Sequence, residues 1–457
     1  MSGRPRLRSR TLVDTLFRWA ERNDAHAVPP RSLEHPGVIA QLWATFKLAI
    51  TALAAPVWIP SVLWRAATNQ RRAVRYMSLF SHALRELQRH GTAEVADMSV
   101  ADVDATRRIV ITSDLHRSAA GRLDVPGRQG TKRLYEVMLD FYDERKWTLI
   151  ENGDIEDFWV VGGSTYGSVY DALRILGGAL TRVRGATLLL ETTYIEHLDR
   201  IIRNNAGIYR RIRENFAADG RYLRVIGNHD DALRWYRVRQ RLFDRIGHVP
   251  MVDALSLRDG ADLVAVVTHG HFADAWNAPT RDNLGKLSSW LACTLLDVPF
   301  LDTPEGLPPA EATTSLLAGK WPNRLITVHP TFGANSHYDS LDEELLFHAV
   351  KKINTSNVWL LLGHTHSPVS EPVSRDATRW KRYVNSGCGV AQSLVTAIEW
   401  NGDFAPEGAA LVAWAYADES TPREAIVAYD GGRPIARVLL EHGAEDRLSV
   451  RAPELRS

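Results

Sequence analysis

The sequence predicts an α/β protein: a central β structure flanked by helices, with a helical extension at its N-terminus. Three observations carry this. Short apolar, β-branched runs alternate with helical patterns from residue 107 onward, and after residue 380 strands alone follow one another. The third is how the runs end. Five of them stop abruptly on polar, metal-competent residues, as buried strands do when they feed loops.

The elements read as follows. Residues 1–105 read as mostly helical; "VRYMSLFSHALRELQRHG" places Met77, Phe80, Leu84 and Leu87 at helical spacing, and Gly91 suits a stop. "RRIVITSD" is a strand. "KRLYEVMLDFYDERK" puts Leu134, Val137, Met138 and Phe141 on one helical face. "WTLIENGD" is a second strand, and "YIEHLDRIIRNNAGIYRRIRENF" a helix with Ile195, Leu198, Ile201 and Ile202 inward. "RYLRVIGNHD", "DLVAVVTHGH" and "NVWLLLGHTH" are three further strands ending in turns. Residues 272–338 are irregular and Pro-punctuated, an insertion or lid; Ser340 and Glu343 form a capping box for the helix after it. "KRYVNSG", "AALVAWAYA" and "EAIVAYD-GG-RPIARVLL" are strands, the last two joined at Gly431 and Gly432 as a hairpin. The domain therefore spans 106–440, followed by a tail at 441–457.

Composition excludes little. With 24% charged and 45% hydrophobic residues the chain is ordinary globular protein, and a formal net charge of +1 gives no support for a nucleic-acid partner. Cys293 and Cys388 are the only cysteines, so no disulfide framework or CxxC zinc knuckle can be read; that fits a reducing, cytoplasmic compartment. The basic start at Arg4, Arg6, Arg8 and Arg10 leads into acidic residues rather than a signal-peptide core. Residues 38–64 are apolar with Lys47 as the sole charge, but Pro56 and Pro60 interrupt them. Trp43, Trp58 and Trp64 suit a headgroup boundary, so the expectation is an interfacial or re-entrant piece contacting the inner face of a membrane; the alternative is a pair of core helices.

The five strand ends are Asp114-Leu115-His116, Gly153-Asp154-Ile155-Glu156-Asp157, Gly227-Asn228-His229-Asp230, His269-Gly270-His271 and Gly363-His364-Thr365-His366. In α/β folds sites gather at the carboxyl ends of strands. Imidazole nitrogens mixed with carboxylate and amide oxygens suit Mn, Fe or Zn better than Mg or Ca. Each motif alone is weak; five in series at strand ends are a strong signal. No convincing GxSxG or Cys-based nucleophile motif accompanies them.

In this order the motifs resemble those of the calcineurin-like metallophosphoesterases: DxH, GDxxD, GNH(D/E), a His often followed by Gly, and GHxH. The resemblance covers residues 114–366. It implies a two-sheet β-sandwich flanked by helices with two divalent metal ions at its edge. By position it implies Asp114, His116 and His366 on one metal, Asn228, His269 and His364 on the other, and Asp154 bridging. His229 would be the acid or transition-state stabiliser and Asp230 would orient it, with Asp157 supporting. Arg117 is a candidate contact for substrate phosphate, with a solvated loop arginine as its alternative. Phe158 and Asp230 stand where the Ser/Thr protein phosphatases have Arg and Glu. "GDIEDFW", "SDLH" and "GHTHSP" look more like the branch containing UDP-2,3-diacylglucosamine pyrophosphatase. The implied activity is hydrolysis of a phosphomonoester, phosphodiester or pyrophosphate; a nuclease of the same fold and a non-enzymatic membrane-associated scaffold are the alternatives. A membrane-associating N-terminus would suit a lipid-linked substrate.

Overall fold

A computed structural model describes residues 98–119, 130–159, 165–179, 186–273, 357–366, 368–371, 379–390, 394–417, 423–442 and 448–451, with a helical stretch at 15–20 and isolated positions elsewhere. The insertion at 272–338 but for Phe272, Ala273 and Asn277, the capping-box helix after it and, but for Pro60 and Trp64, the apolar stretch 38–64 lie outside the described residues. Among the described residues no helix is long and apolar enough to cross a membrane.

The molecule is α/β, with two mixed sheets. The first strands are β1 (Val100–Asp104), β2 (Ile109–Thr112), β3 (Thr148–Asn152), β4 (Tyr222–Val225), β5 (Met251–Val252), β6 (Ala254–Asp259) and β7 (Asp262–Thr268). Those that follow are β8 (Trp359–Leu362), β9 (Pro368–Ser370), β10 (Tyr383–Ser386), β11 (Leu394–Trp400), β12 (Ala409–Tyr416), β13 (Ile426–Asp430), β14 (Arg433–His442) and β15 (Leu448–Arg451). A six-stranded sheet runs β1-β6-β7-β8-β10-β9; a nine-stranded sheet runs β13-β14-β12-β11-β2-β3-β4-β5, with β15 on β14. β2, β3 and β4 are mutually parallel, as are β7 and β8, so their carboxyl ends point one way in each sheet.

Period-two alternation sorts the strands' side chains into two cores. Ile109, Ile111, Ile150 and Val225 meet Leu255, Val267, Leu361 and Val384 between the sheets. The opposite face of the larger sheet, with Val110, Leu149, Tyr222 and Trp414, is covered by helices. These are α1 (Thr131–Glu144), α2 (Thr165–Ala179), α3 (Ala186–Asn204), α4 (Ala206–Arg211) and α5 (Tyr236–Ile246). Burial on both faces explains why β2 reads as a continuous apolar run, while β3 is buried throughout although it carries Glu151 and Asn152.

Several expectations need correction. Residues 100–104 are not helical: they form β1, whose five residues are too few to show a period and are held by pairing with β6. The segment 441–457 is not only a tail, since β14 reaches His442 and β15 pairs with it. The helix expected over 194–216 begins at Ala186 and breaks at Asn205, whose side-chain amide donates to the Ile201 carbonyl (2.8 Å) and that of Ser118 (3.3 Å). A π-helical turn, Ile212–Ala217, follows α4. The glycine hairpin forms as read, with φ of 54° at Gly431 and 87° at Gly432, the conformation a two-residue turn between twisted strands demands.

One ion pair lies inside the helix-facing core. Glu399 on β11 is fully buried, and Arg437 on β14 approaches it with Nε at 2.6 Å while the Tyr142 hydroxyl donates to the same carboxylate. Removing one partner strands a buried charge, which costs about 3–5 kcal/mol, whereas removing both together costs far less. Arg437→Leu is therefore expected to lower the urea midpoint strongly, and the double substitution with Glu399→Leu to recover most of it. An unchanged midpoint in the single variant would contradict the pairing.

Candidate metal centre

The site is built where five strand ends converge at one edge of the sandwich. Asp114 and His116 follow β2, Asp154 follows β3, and Asn228 and His229 follow β4, all from the nine-stranded sheet. His269 and His271 follow β7, and His364 and His366 follow β8, from the six-stranded sheet. Among the described residues two ligand-capable groups with no residue in common result, Asp114, His116 and His366, and Asp154, His269 and His364, and a third, His116, Asp157 and His229, overlaps the first; in each, one ligand atom per residue lies within 4.8 Å of the others.

The backbone turns sharply to do this. Asp114, His116, Asp154, His364 and His366 all have positive φ, from 42° to 74°. Such a conformation is unfavourable for a side-chain-bearing residue and is retained where surrounding structure enforces it, commonly at functional sites. Two glycines make room. A Cβ on Gly227 would collide with the Asp154 carboxylate and backbone, and one on Gly363 would collide with Ser113 and the Asp114 carboxylate. The GHTH turn is also pinned from β10. Asn385 Nδ2 donates to the Gly363 carbonyl (2.8 Å) and to Thr365 Oγ1 (3.0 Å), and Ser386 Oγ donates to the Leu362 carbonyl (3.0 Å).

Hydrogen bonds to one imidazole nitrogen leave the other available. His269 Nδ1 donates to the Asn152 carbonyl (2.8 Å), so Nε2 faces Asp154 Oδ2 at 3.2 Å. His116 Nδ1 pairs with Asp157 Oδ2 (3.1 Å), so Nε2 lies 3.1 Å from His366 Nε2. Fixing one ring nitrogen through an oxygen acceptor is the usual way a metal-binding histidine is oriented. Asp114 Oδ1 sits 3.3 Å from His366 Nε2 and 4.0 Å from His269 Nε2, touching both groups. Asp114 Oδ1, Asn228 Oδ1 and His269 Nε2 are buried and make no hydrogen bond. Buried polar atoms without partners are costly, and here several converge; a divalent cation satisfies them together. The residues present thus fit metal. His364, His366 and His229 are the partly exposed members and mark the mouth.

Two assignments are corrected. Asp230 does not orient His229. Its carboxylate accepts from the backbone N–H of Gly227 (2.6 Å) and of Ile155 (3.2 Å) and from Arg224 (3.0 Å). It ties the third strand end to the second. The partner of His229 is Asp157, whose Oδ1 lies 3.0 Å from His229 Nδ1 while its Oδ2 holds His116. The order of the motif hides this, because the adjacent Asp230 points back along its own turn. Nor does Arg117 face a substrate: it is 1% exposed, paired with Glu151 and placed over the rings of Tyr135 and Tyr209.

A buried charge network under the site went unread. Arg224 pairs with Glu156 and with Asp230, and contacts Glu151 at 3.5 Å. The signal was available: Glu151 and Arg224 are charges inside apolar strands, which survive only when paired. Trp159 was also missed; its indole stacks on His229 with ring centres 4.3 Å apart.

Burial opposes ionisation throughout, and charge partners outweigh it at some groups but not at others. Burial raises the Asp114 pKa, but His269 and His366 outweigh it and the net shift is downward. Asp154 ends well below the usual carboxylate range, because His269 and His229 overcome its burial. Against burial, Asp157 with Asp154 pushes His229 up to about 9, and Asp154 with Asp114 does the same for His269. His366 and His271 go the other way, lowered by burial. Burial lifts Asp230 to about 6 against the pull of Arg224.

No family model matches the chain, and a search of curated proteins returns no match.

His229 and His269 titrate in the fold above the ordinary value of about 6.5, so the stability they contribute is complete below pH 6.5 and is lost as pH rises through about 9. In chelator-treated protein the urea midpoint is expected to fall between pH 6.5 and 9, and less steeply in His269→Gln. A flat or rising midpoint would contradict carboxylate pairing. Gly227→Ala is expected to displace Asp154 and lower bound Mn, measured by elemental analysis after loading; wild-type metal content would contradict the packing argument.

Proposed function

We propose that the chain is a dinuclear-metal-dependent phosphoesterase with the calcineurin-like metallophosphoesterase fold. The observation that carries this reading is the facing of two His/carboxylate groups across Asp114, with Asn228 as a buried oxygen donor and His229 beside them. Asp114, His116 and His366 would hold one cation, Asn228, His269 and His364 the other, with Asp154 shared. Two divalent cations in such a site supply an activated water and neutralise charge on phosphoryl oxygens.

The chain's own residues supply the rest. His229 has Nδ1 engaged by Asp157, whose charge favours the protonated ring, and the protonated ring presents Nε2–H to an anionic oxygen or to the leaving group. Stacking on Trp159 sets the plane of its ring. Asp157 holds His229 and His116 with one carboxylate, so the acid and a ligand keep a fixed separation, ring centre to ring centre 4.6 Å. Asn228, a neutral donor, keeps negative charge down where an anionic ester must enter. The serine beside the candidate ligands, Ser113, is buried, with its Oγ donating to the Asp114 carboxylate and meeting Ser386 Oγ at 2.6 Å, so attack is assigned to water.

The test is turnover of p-nitrophenyl phosphate and bis-p-nitrophenyl phosphate with Mn, then of nucleotides, sugar nucleotides, phospholipids and DNA. Wild type is expected to hydrolyse at least one ester in a chelator-sensitive way. Asp154→Asn is expected to reduce the rate by about a hundredfold or more, the scale of losing a shared ligand's charge. Equal rates in the two proteins would sink the proposal. His229→Gln is expected to lower kcat while leaving metal content unchanged.

A further inference from the structure

Asp157 is held from behind by a third histidine, one that no motif includes. His197, on α3, is fully buried, and its Nε2 lies 3.1 Å from the Asp157 carbonyl oxygen. A carbonyl only accepts, so Nε2 carries the hydrogen. Nδ1 is then a lone pair, and it accepts from the Tyr166 hydroxyl of α2 at 2.8 Å. Both neighbours therefore select one neutral tautomer. The ring is packed against Tyr170, with centres 4.4 Å apart, and the Tyr170 hydroxyl donates to the next carbonyl along, that of Phe158 (2.9 Å).

Asp157 is engaged at its main chain and its side chain alike. Its N–H donates to the Arg117 carbonyl (2.9 Å), its carbonyl accepts from His197, and its carboxylate serves His116, His229 and the Trp159 N–H (2.8 Å). On the far side the relay is sealed by the N-terminal helical stretch. Phe17, 3% exposed, lies 5.1 Å from the Tyr166 ring, and the Arg200 guanidinium sits 3.6 Å over the same ring. A polar pair enclosed this fully is costly unless each bond is made, so its geometry is tightly specified.

We infer that His197, backed by Tyr166, is a positioning residue that sets the orientation of the two imidazoles sharing Asp157. It touches neither of them and acts only through the Asp157 main chain. Where it concerns turnover, the inference rests on the phosphoesterase reading above; where it concerns the geometry of His116 and His229, it stands without that reading.

The experiment uses the full-length protein with labelled histidine, and follows the imidazole carbon–proton resonances of His116 and His229 at one fixed pH in the metal-free state. His197→Phe keeps a ring and removes both hydrogen bonds. His197→Gln returns a donor near the place of Nε2. Tyr166→Phe removes one hydroxyl and keeps the ring packing. The His116 and His229 resonances are expected to move in His197→Phe, to move less in Tyr166→Phe, and to return toward wild type in His197→Gln. For any ester the wild type hydrolyses, kcat is expected to fall about tenfold to a hundredfold in His197→Phe with KM changed less than about twofold, and to recover in His197→Gln. Unmoved resonances in a folded His197→Phe protein would overturn the inference, as would an unchanged kcat. If His197→Phe does not fold, unmoved resonances in Tyr166→Phe overturn it. Absence of turnover in wild type would count against the phosphoesterase reading alone, since the resonances report separately.

Discussion

Arg224 is the cation on which the site's scaffold depends. It sits at the end of β4, buried to 1% exposure, and draws Glu156 from the second strand end and Asp230 from the third onto one guanidinium. Glu151 on β3 then links it to Arg117 beyond the first. Three parallel strands are in this way cross-braced by charge just below the layer that carries the ligands. A guanidinium suits the task because its planar fork satisfies several carboxylate oxygens at once and stays charged under any burial. Tyr209 and Tyr222 add donors to the same carboxylates, so the excess negative charge is hydrogen-bonded rather than bare.

Above this brace the backbone is bent against its preference. Five ligand-bearing residues occupy left-handed conformations, and the adjoining glycines are small because the neighbouring carboxylates need the space. Strain of this kind costs about 1–3 kcal/mol per residue and persists only where other contacts overdetermine the chain. Those contacts are identifiable: backbone bonds from Asp114 N–H to the Gly153 carbonyl and from His116 N–H to the Asp154 carbonyl, both 3.0 Å, and the Asn385 amide beneath the GHTH turn. A rigid base and a strained, preorganised rim are complementary parts of one design.

Much of this could be read in advance, and the reasons are local. Strands such as "RRIVITSD" and "NVWLLLGHTH" declare themselves because burial on both faces demands an unbroken apolar run, and their polar ends then stand out. The candidate ligands stood out because metal-binding chemistry restricts residue types, and the structure brings them together. The roles of Asp157 and Asp230 were not legible, since which of two neighbouring carboxylates faces an imidazole depends on turn geometry, to which spacing is blind. β1, at residues 100–104, and β15 eluded the reading because short edge strands owe their conformation to partners distant in sequence. Arg117 looked like a substrate contact because it follows a ligand directly; its side chain instead runs inward to Glu151.

The two halves of the ligand set belong to different sheets, with Asp114, Asp154 and Asn228 on one and His269, His364 and His366 on the other. Their separation is set by the side chains stacked between the layers, among them Ile150, Val225, Val267 and Leu361. Close-packed interiors transmit changes of a single methylene rather than absorbing them. The hydrocarbon between the sheets is thus a gauge block: its thickness, a property of residues with no chemistry of their own, calibrates how far apart the two groups of donors stand.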